Sequence, residues 1–128
     1  MINIKPWLIS KLDADAGLLA ALGAPERIVF SHPADFEKLS VLTCQELDNY
    51  NTQDDYDDDG AEWHRIVWQF DIWTRNDVST SAIALALASV MEGLLFNRDY
   101  SQDIPDPESK TQHRVLRYSR RMRAADLT

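Results

Sequence analysis

His64-Arg65-Ile66-Val67-Trp68-Gln69-Phe70-Asp71-Ile72-Trp73-Thr74-Arg75 alternates with a period of two. Ile66, Trp68, Phe70 and Ile72 fall on one phase, and Arg65, Val67, Gln69, Asp71 and Trp73 on the other. Alternation of β-branched and aromatic residues predicts a strand with one buried face. Asn76 and Asp77 break the strand, and Asp77 is the expected N-cap of the next element, its carboxylate accepting from free amides at a helix start. From Val78 to Phe96 there is no proline, and no glycine before Gly93. Ile83, Leu87, Val90, Met91, Leu94 and Leu95 recur three and four apart, which makes one apolar helical stripe. Ala82, Ala84, Ala86, Ala88 and Ser89 are small enough to let that helix lie close against the Ile66/Trp68/Phe70/Ile72 face. Strand and helix, residues 61–97 together, are the expected core.

On the N-terminal side, Ile4, Trp7, Leu8 and Leu12 form the stripe of a first helix. A second helical piece continues to Gly23, with Asp15 as its cap, Leu18, Leu19 and Leu22 as its buried side and Gly23 as its stop. Residues 27–30 read as a short strand and 31–38 as a loop. Residues 39–50 read as another strand, though neither of its phases is cleanly apolar. Residues 51–60 are polar and acidic, a long hairpin loop. Beyond the central helix, 97–108 holds Pro105 and Pro107 and reads as a loop with a short extended piece near Arg98, Asp99 and Tyr100. Residues 111–122 are the last strand, with Leu116, Tyr118 and Met122 toward the core, and 124–128 are expected to fray. The order predicts one α+β domain over residues 1–128. It is a mostly antiparallel sheet of about four strands, with the N-terminal helix and the long helix on one face. The other face would show Val67 and Trp73 beside Arg65, Gln69 and Asp71. An aromatic there implies either a subunit interface or packing under the N-terminal helix or a loop.

The chain has 128 residues, enough for a real hydrophobic core. It lacks an apolar run long enough to span a membrane and a signal-peptide pattern at its start. Its single cysteine, Cys44, has no internal disulfide partner and reads as a small buried residue. The net charge of −8 argues against general affinity for nucleic acid. That charge is uneven: residues 1–60 hold 4 Lys/Arg against 12 Asp/Glu, and residues 61–128 hold 9 of each. Toward the end Lys110, Arg114, Arg117, Arg120, Arg121 and Arg123 make a basic tail. An acidic half and a basic end imply contact between them, within a subunit or between subunits.

Candidate chemistry is sparse. Asp55, Asp57, Asp59 and Gly60 match the first half of a calcium-binding EF-hand loop, but the position of its bidentate Glu is Ile66, within the strand. The acidic stretch Asp54, Asp55, Asp57, Asp58 and Asp59 is therefore a solvated hairpin tip, a contact for a basic partner, or a calcium loop. His32, His64 and His113 are dispersed, His32 in a loop and the others expected on strand surfaces; there is no zinc signature. No motif surrounds Cys44 or any serine as a nucleophile, and no glycine-rich phosphate cradle is present. No cofactor is implied, and the chain does not read as an enzyme. Arg114, Arg117, Arg120, Arg121 and Arg123 could meet phosphate, but with only Tyr118 interleaved a specific nucleic-acid site is not indicated.

Several strings together resemble the tail terminator, or tail completion, proteins of long-tailed phages and prophages. They are Leu18-Leu19-Ala20-Ala21-Leu22-Gly23 followed by Arg27-Ile28-Val29, the strand from Val41 to Glu46, Ile66-Val67-Trp68-Gln69-Phe70-Asp71-Ile72-Trp73, Val90-Met91-Glu92-Gly93-Leu94-Leu95-Phe96, and Arg117-Tyr118. The resemblance implies a structural subunit of a hexameric ring in the virion tail. Such a ring caps the tail tube, stops its growth and meets the head–tail connector, while DNA passes through its hole without specific binding. Its partners would be copies of itself, the major tail tube protein and the connector protein, with no membrane involved. In this chain Val67 and Trp73 would supply apolar interface area, and the acidic stretch and Arg114, Arg117, Arg120 and Arg121 its charge. Alternatives are a head–tail connector or head completion protein, and a small cytoplasmic binding module that uses the acidic loop.

Overall fold

The computed structural model describes residues 2–23, 27–30, 39–51, 62–104 and 110–128. In chain order they form α1 (Lys5–Asp13), α2 (Ala16–Leu22), β1 (Ile28–Val29), β2 (Val41–Tyr50), β3 (His64–Arg75), α3 (Ser81–Gly93), β4 (Asn97–Asp103) and β5 (Thr111–Met122), closed by a 3-10 turn at Ala124–Asp126. The five strands make one mixed sheet in the order β1-β2-β3-β5-β4. β1 runs parallel to β2, and every other pair is antiparallel.

The expected α+β architecture is present, with five strands rather than about four. β3 and β5 occupy the predicted spans and pair along their whole length, from His64 opposite Met122 to Arg75 opposite Thr111. Facing residues in an antiparallel pair share a side of the sheet. Ile66, Trp68, Phe70, Ile72, Leu116, Tyr118 and Met122 therefore point the same way, and all are buried. Ile4, Leu8 and Leu12 at the first helix, Leu18 and Leu22 from α2, and Ile83, Leu87, Val90 and Met91 from α3 close over them as one core. Phe70 meets Tyr118 edge to face at 5.9 Å, and Phe30 meets Trp68 the same way at 6.0 Å. Burial pushes the Cys44 thiol and the Tyr118 hydroxyl above their ordinary ranges, desolvation being the largest cause for each. Ile66, where a calcium loop would need its bidentate Glu, lies fully inside this core.

Local signals explain the helix ends. Asp15 caps α2 by accepting from the Leu18 amide at 2.8 Å, and Gly23 stops it with a left-handed φ of 95°. At α3 the expectation fails. The N-cap is Thr80, not Asp77, and its side chain makes no cap bond. The Thr80 hydroxyl instead accepts from Arg114 Nε at 3.1 Å, while Asp77 stays exposed beside Arg75. The predicted stripe also overruns the helix. After Gly93 the chain turns, and Leu95 adopts a φ of 66° and faces solvent.

Three further expectations need correction. The segment read as a loop with a short extended piece contains a seven-residue edge strand, β4. His64, expected on a strand surface, is buried on the core side, with Glu62 3.5 Å from its Nε2. The C-terminus is tied down rather than frayed: the Arg123 amide donates to Asp126, and Trp7 Nε1 donates to the Thr128 carbonyl. The acidic stretch and His32 lie outside the described residues.

Candidate assembly surface

The side of the sheet away from the helices carries the odd-numbered residues of β3 and β5. Across it the register sets Val41, Trp73 and His113 in one row, and Thr43, Asp71 and Val115 in the next. Gln45, Gln69, Arg117 and Tyr100 come after them, then Asp48, Val67 and Ser119, and last Tyr50, Arg65 and Arg121. A polar line crosses these rows. Arg117 Nε donates to Gln69 Oε1 at 3.0 Å, Gln69 Nε2 donates to Asp71 Oδ1 at 3.0 Å, and Asp71 Oδ2 meets His113 Nε2 at 2.7 Å. The Trp73 ring stacks on His113, centroids 3.6 Å apart and 11° from parallel. The Arg117 guanidinium lies 5.0 Å from the centre of the Tyr100 ring. Each member restricts the next, so this face is held in shape by its own side chains.

The predicted interface residues divide. Val67, Trp73, Arg117 and Arg121 are on the open face. Val67 is half-buried, Trp73 is half-buried against His113, and Arg117 and Arg121 are exposed. Arg121 and Arg123 both lie over the Trp63 ring, at 5.3 and 4.7 Å. Arg114 and Arg120 are on the helix side, sharing the phase of Leu116 and Tyr118. Arg114 reaches the start of α3 through Thr80 and also donates to Ser101 and Asp103. Arg120 Nη1 donates at 2.8 Å to the Leu94 carbonyl just past the end of α3, with Asp126 3.7 Å from its Nη2. A cation at a helix C-terminus both satisfies an orphan carbonyl and meets the negative end of the helix dipole.

A groove of about 840 Å³ runs beside β2, between the N-terminal segment and the open face. Cys44, Asp71 and His113 all border it. They do not form a nucleophile set. Cys44 stands opposite Phe70 on the helix side, whereas Asp71 stands opposite Thr43 and Val115 on the other. Burial pushes the thiol above its ordinary range, away from the thiolate that such chemistry needs. Among the described residues no group of three or more His, Cys, Asp or Glu could hold a metal ion. No described helix is long and apolar enough to cross a membrane.

Two features were not singled out from the sequence. One is the Gln69–Asp71–His113 line, whose members join neighbouring strands far apart in sequence and carry no motif. The other is the exposed half of β2, Gln45–Tyr50, with Glu46 and Asp48.

The described residues of the open side thus make a charged surface held in place by its own side-chain contacts. The fold of this chain recurs in a chain of the virion of a native gene transfer agent particle, with a TM-score of 0.63 over 90% of each chain at 14% identity. No curated protein sequence matches. The chain belongs to the family described as tail completion protein gp17, which it matches over residues 7–123. It is thus a structural protein of a phage tail.

Proposed function

We propose that copies of this chain form a ring, hexameric in the family it resembles, that caps the tail tube. The ring ends tube growth and offers its far side to the head–tail connector, and DNA passes through the hole without specific binding. The chain acts by shape and breaks no covalent bond. Membership of the tail completion family over nearly the whole chain carries this reading.

The surface chemistry supports it. The open face offers Val67 and Trp73 as apolar area and Arg117 and Arg121 as charge, while Asp54, Asp55, Asp57, Asp58 and Asp59 supply opposite charge elsewhere in the same chain. Such patches suit a head-to-tail contact, in which one patch meets a different patch of the next copy and rotation closes a ring. Arg114 and Arg120 stabilise each subunit by holding α3, and serve the ring only through that.

Growing tubes from the major tail tube protein, with and without this chain, tests the function. Native mass spectrometry at two salt concentrations counts the copies. The expected result is tubes that stop lengthening and carry a ring of this chain at one end. Unchanged tube growth, together with capture by the connector alone, would turn the reading into that of a neck protein.

A further inference from the structure

The sheet ends in two unlike edges. β1 pairs only with Leu42 and Thr43, so β2 from Gln45 to Tyr50 has no strand beside its outer edge among the described residues. That overhang carries Glu46 and Asp48 and no Lys or Arg. The opposite edge is β4, seven residues long and exposed at all but Tyr100. Its flank carries Arg98, with Arg117 and Arg121 on the neighbouring strand. Asp103 there is already engaged by Arg114 at 3.3 Å, which leaves Asp99 as the flank's other acid. Three of the five exposed large apolar side chains of the described residues belong to these edges: Leu47 and Tyr50 on the overhang, and Ile104 just beyond β4.

We propose that neighbouring copies join edge to edge, the β2 overhang of one copy lying against the β4 edge of the next. The proposal rests on the ring reading above and names its contact. Sidedness supports it. Glu46 faces Trp68 and Arg98 faces Tyr118, both on the helix side; Asp48 faces Val67 and Arg117 faces Gln69, both on the open side. When two sheets continue one another, helix side meets helix side, so Glu46 comes to Arg98 of the next copy; in that antiparallel register Asp48 stands opposite Asn97, and Gln45 opposite Tyr100 with Arg117 behind it. Polarity agrees as well: β2 and β5 run one way and β3 and β4 the other, so a copy added beside β2 presents β4 antiparallel to it. Like edges do not suit each other. Two β2 overhangs would bring four carboxylates together, and two β4 edges would set Arg98 near Arg98. Both edges carry a bulge, at Glu46/Asp48 and at Arg98/Tyr100, and bulged edges resist indiscriminate pairing. A matched edge is therefore selected by its side chains, and the contact is heterologous, the kind that closes rings.

The test uses two full-length variants, Glu46→Arg and Arg98→Glu, with circular dichroism to establish that each folds. Each variant alone is expected to self-associate at least about tenfold more weakly than the wild type, as close charge pairs warrant. Mixed in equal amounts they are expected to recover assembly into complexes holding the two variants in equal number. In such complexes every unaltered edge finds an unaltered partner and every reversed edge a reversed one. If either variant assembles alone as the wild type does, this contact is overturned and the ring reading stands. Folded variants that fail to recover on mixing overturn it equally. A wild-type chain that stays monomeric in solution and on tail tubes removes the ring reading and the contact together.

Discussion

β5 has two sides that do different work with the same residue type. On one side Arg114 and Arg120 are tucked against the ends of α3, and on the other Arg117 and Arg121 face outward over Gln69, Tyr100 and Trp63. Read as a line of letters, the four arginines form one basic strip. Folded into a strand they separate by phase, Arg114 and Arg120 toward the helices and Arg117 and Arg121 toward the open face. Charge composition alone does not show this division; the period of the strand does.

The largest expected contrast compares neighbours in β3. Trp68→Ala empties a fully buried site and should cost about 3–5 kcal/mol, whereas Val67→Ala, one residue away on the open face, should cost under about 1 kcal/mol. Chemical denaturation of both variants checks this, and equal losses would mean that the open face is also a packed one. Next come the arginines. Arg120→Ala removes a charged donor from a helix-end carbonyl and should cost about 1.5–3 kcal/mol, while Arg117→Ala, which loses an exposed bond to Gln69, should cost about 1 kcal/mol or less and act on assembly as well. Thermal melts and native mass spectrometry on the same samples separate the two effects. Asp71→Asn retains a side chain of similar shape but removes the charge that meets His113. Stability is expected to fall by about 1 kcal/mol, with a change in the fluorescence of Trp73, whose ring stacks on that imidazole.

A further effect lies at high pH. Burial raises the Cys44 thiol in the folded chain above its ordinary value of 9.0, so the unfolded chain loses that proton first. The stabilisation is complete below the ordinary value and declines as pH rises past it. Tyr118 acts in the same direction from its ordinary value of 10.0. Stability measured from about pH 8 to 11 should therefore fall, and Cys44→Ala should make the fall shallower.

Where the sequence carried a strong period, the fold was readable from it. β3 and β5 begin and end where the alternation of Ile66 to Ile72 and of Leu116 to Met122 implies. β4 was hidden because Asn97–Asp103 has no buried phase: it is held by the backbone of β5, and pairing leaves no mark on composition. The cap of α3 was misplaced for a tertiary reason, since the Thr80 hydroxyl is used by Arg114, which lies 34 positions away. That Val67, Trp73, Arg117 and Arg121 share the open face was legible from the two strand periods. That Glu46 and Asp48 lie on a part of β2 beyond its pairing with β1 was not legible, because it depends on pairing partners rather than on their own neighbours.

The two inward arginines also work as a gauge. Six residues of strand separate Arg114 from Arg120, a span of about 20 Å at some 3.3 Å each. The thirteen residues of α3 measure about 20 Å at 1.5 Å each. Inserting or deleting one residue within α3 would turn everything beyond it by about 100° and leave one guanidinium without its terminus. Relatives that vary in length should therefore vary anywhere but there.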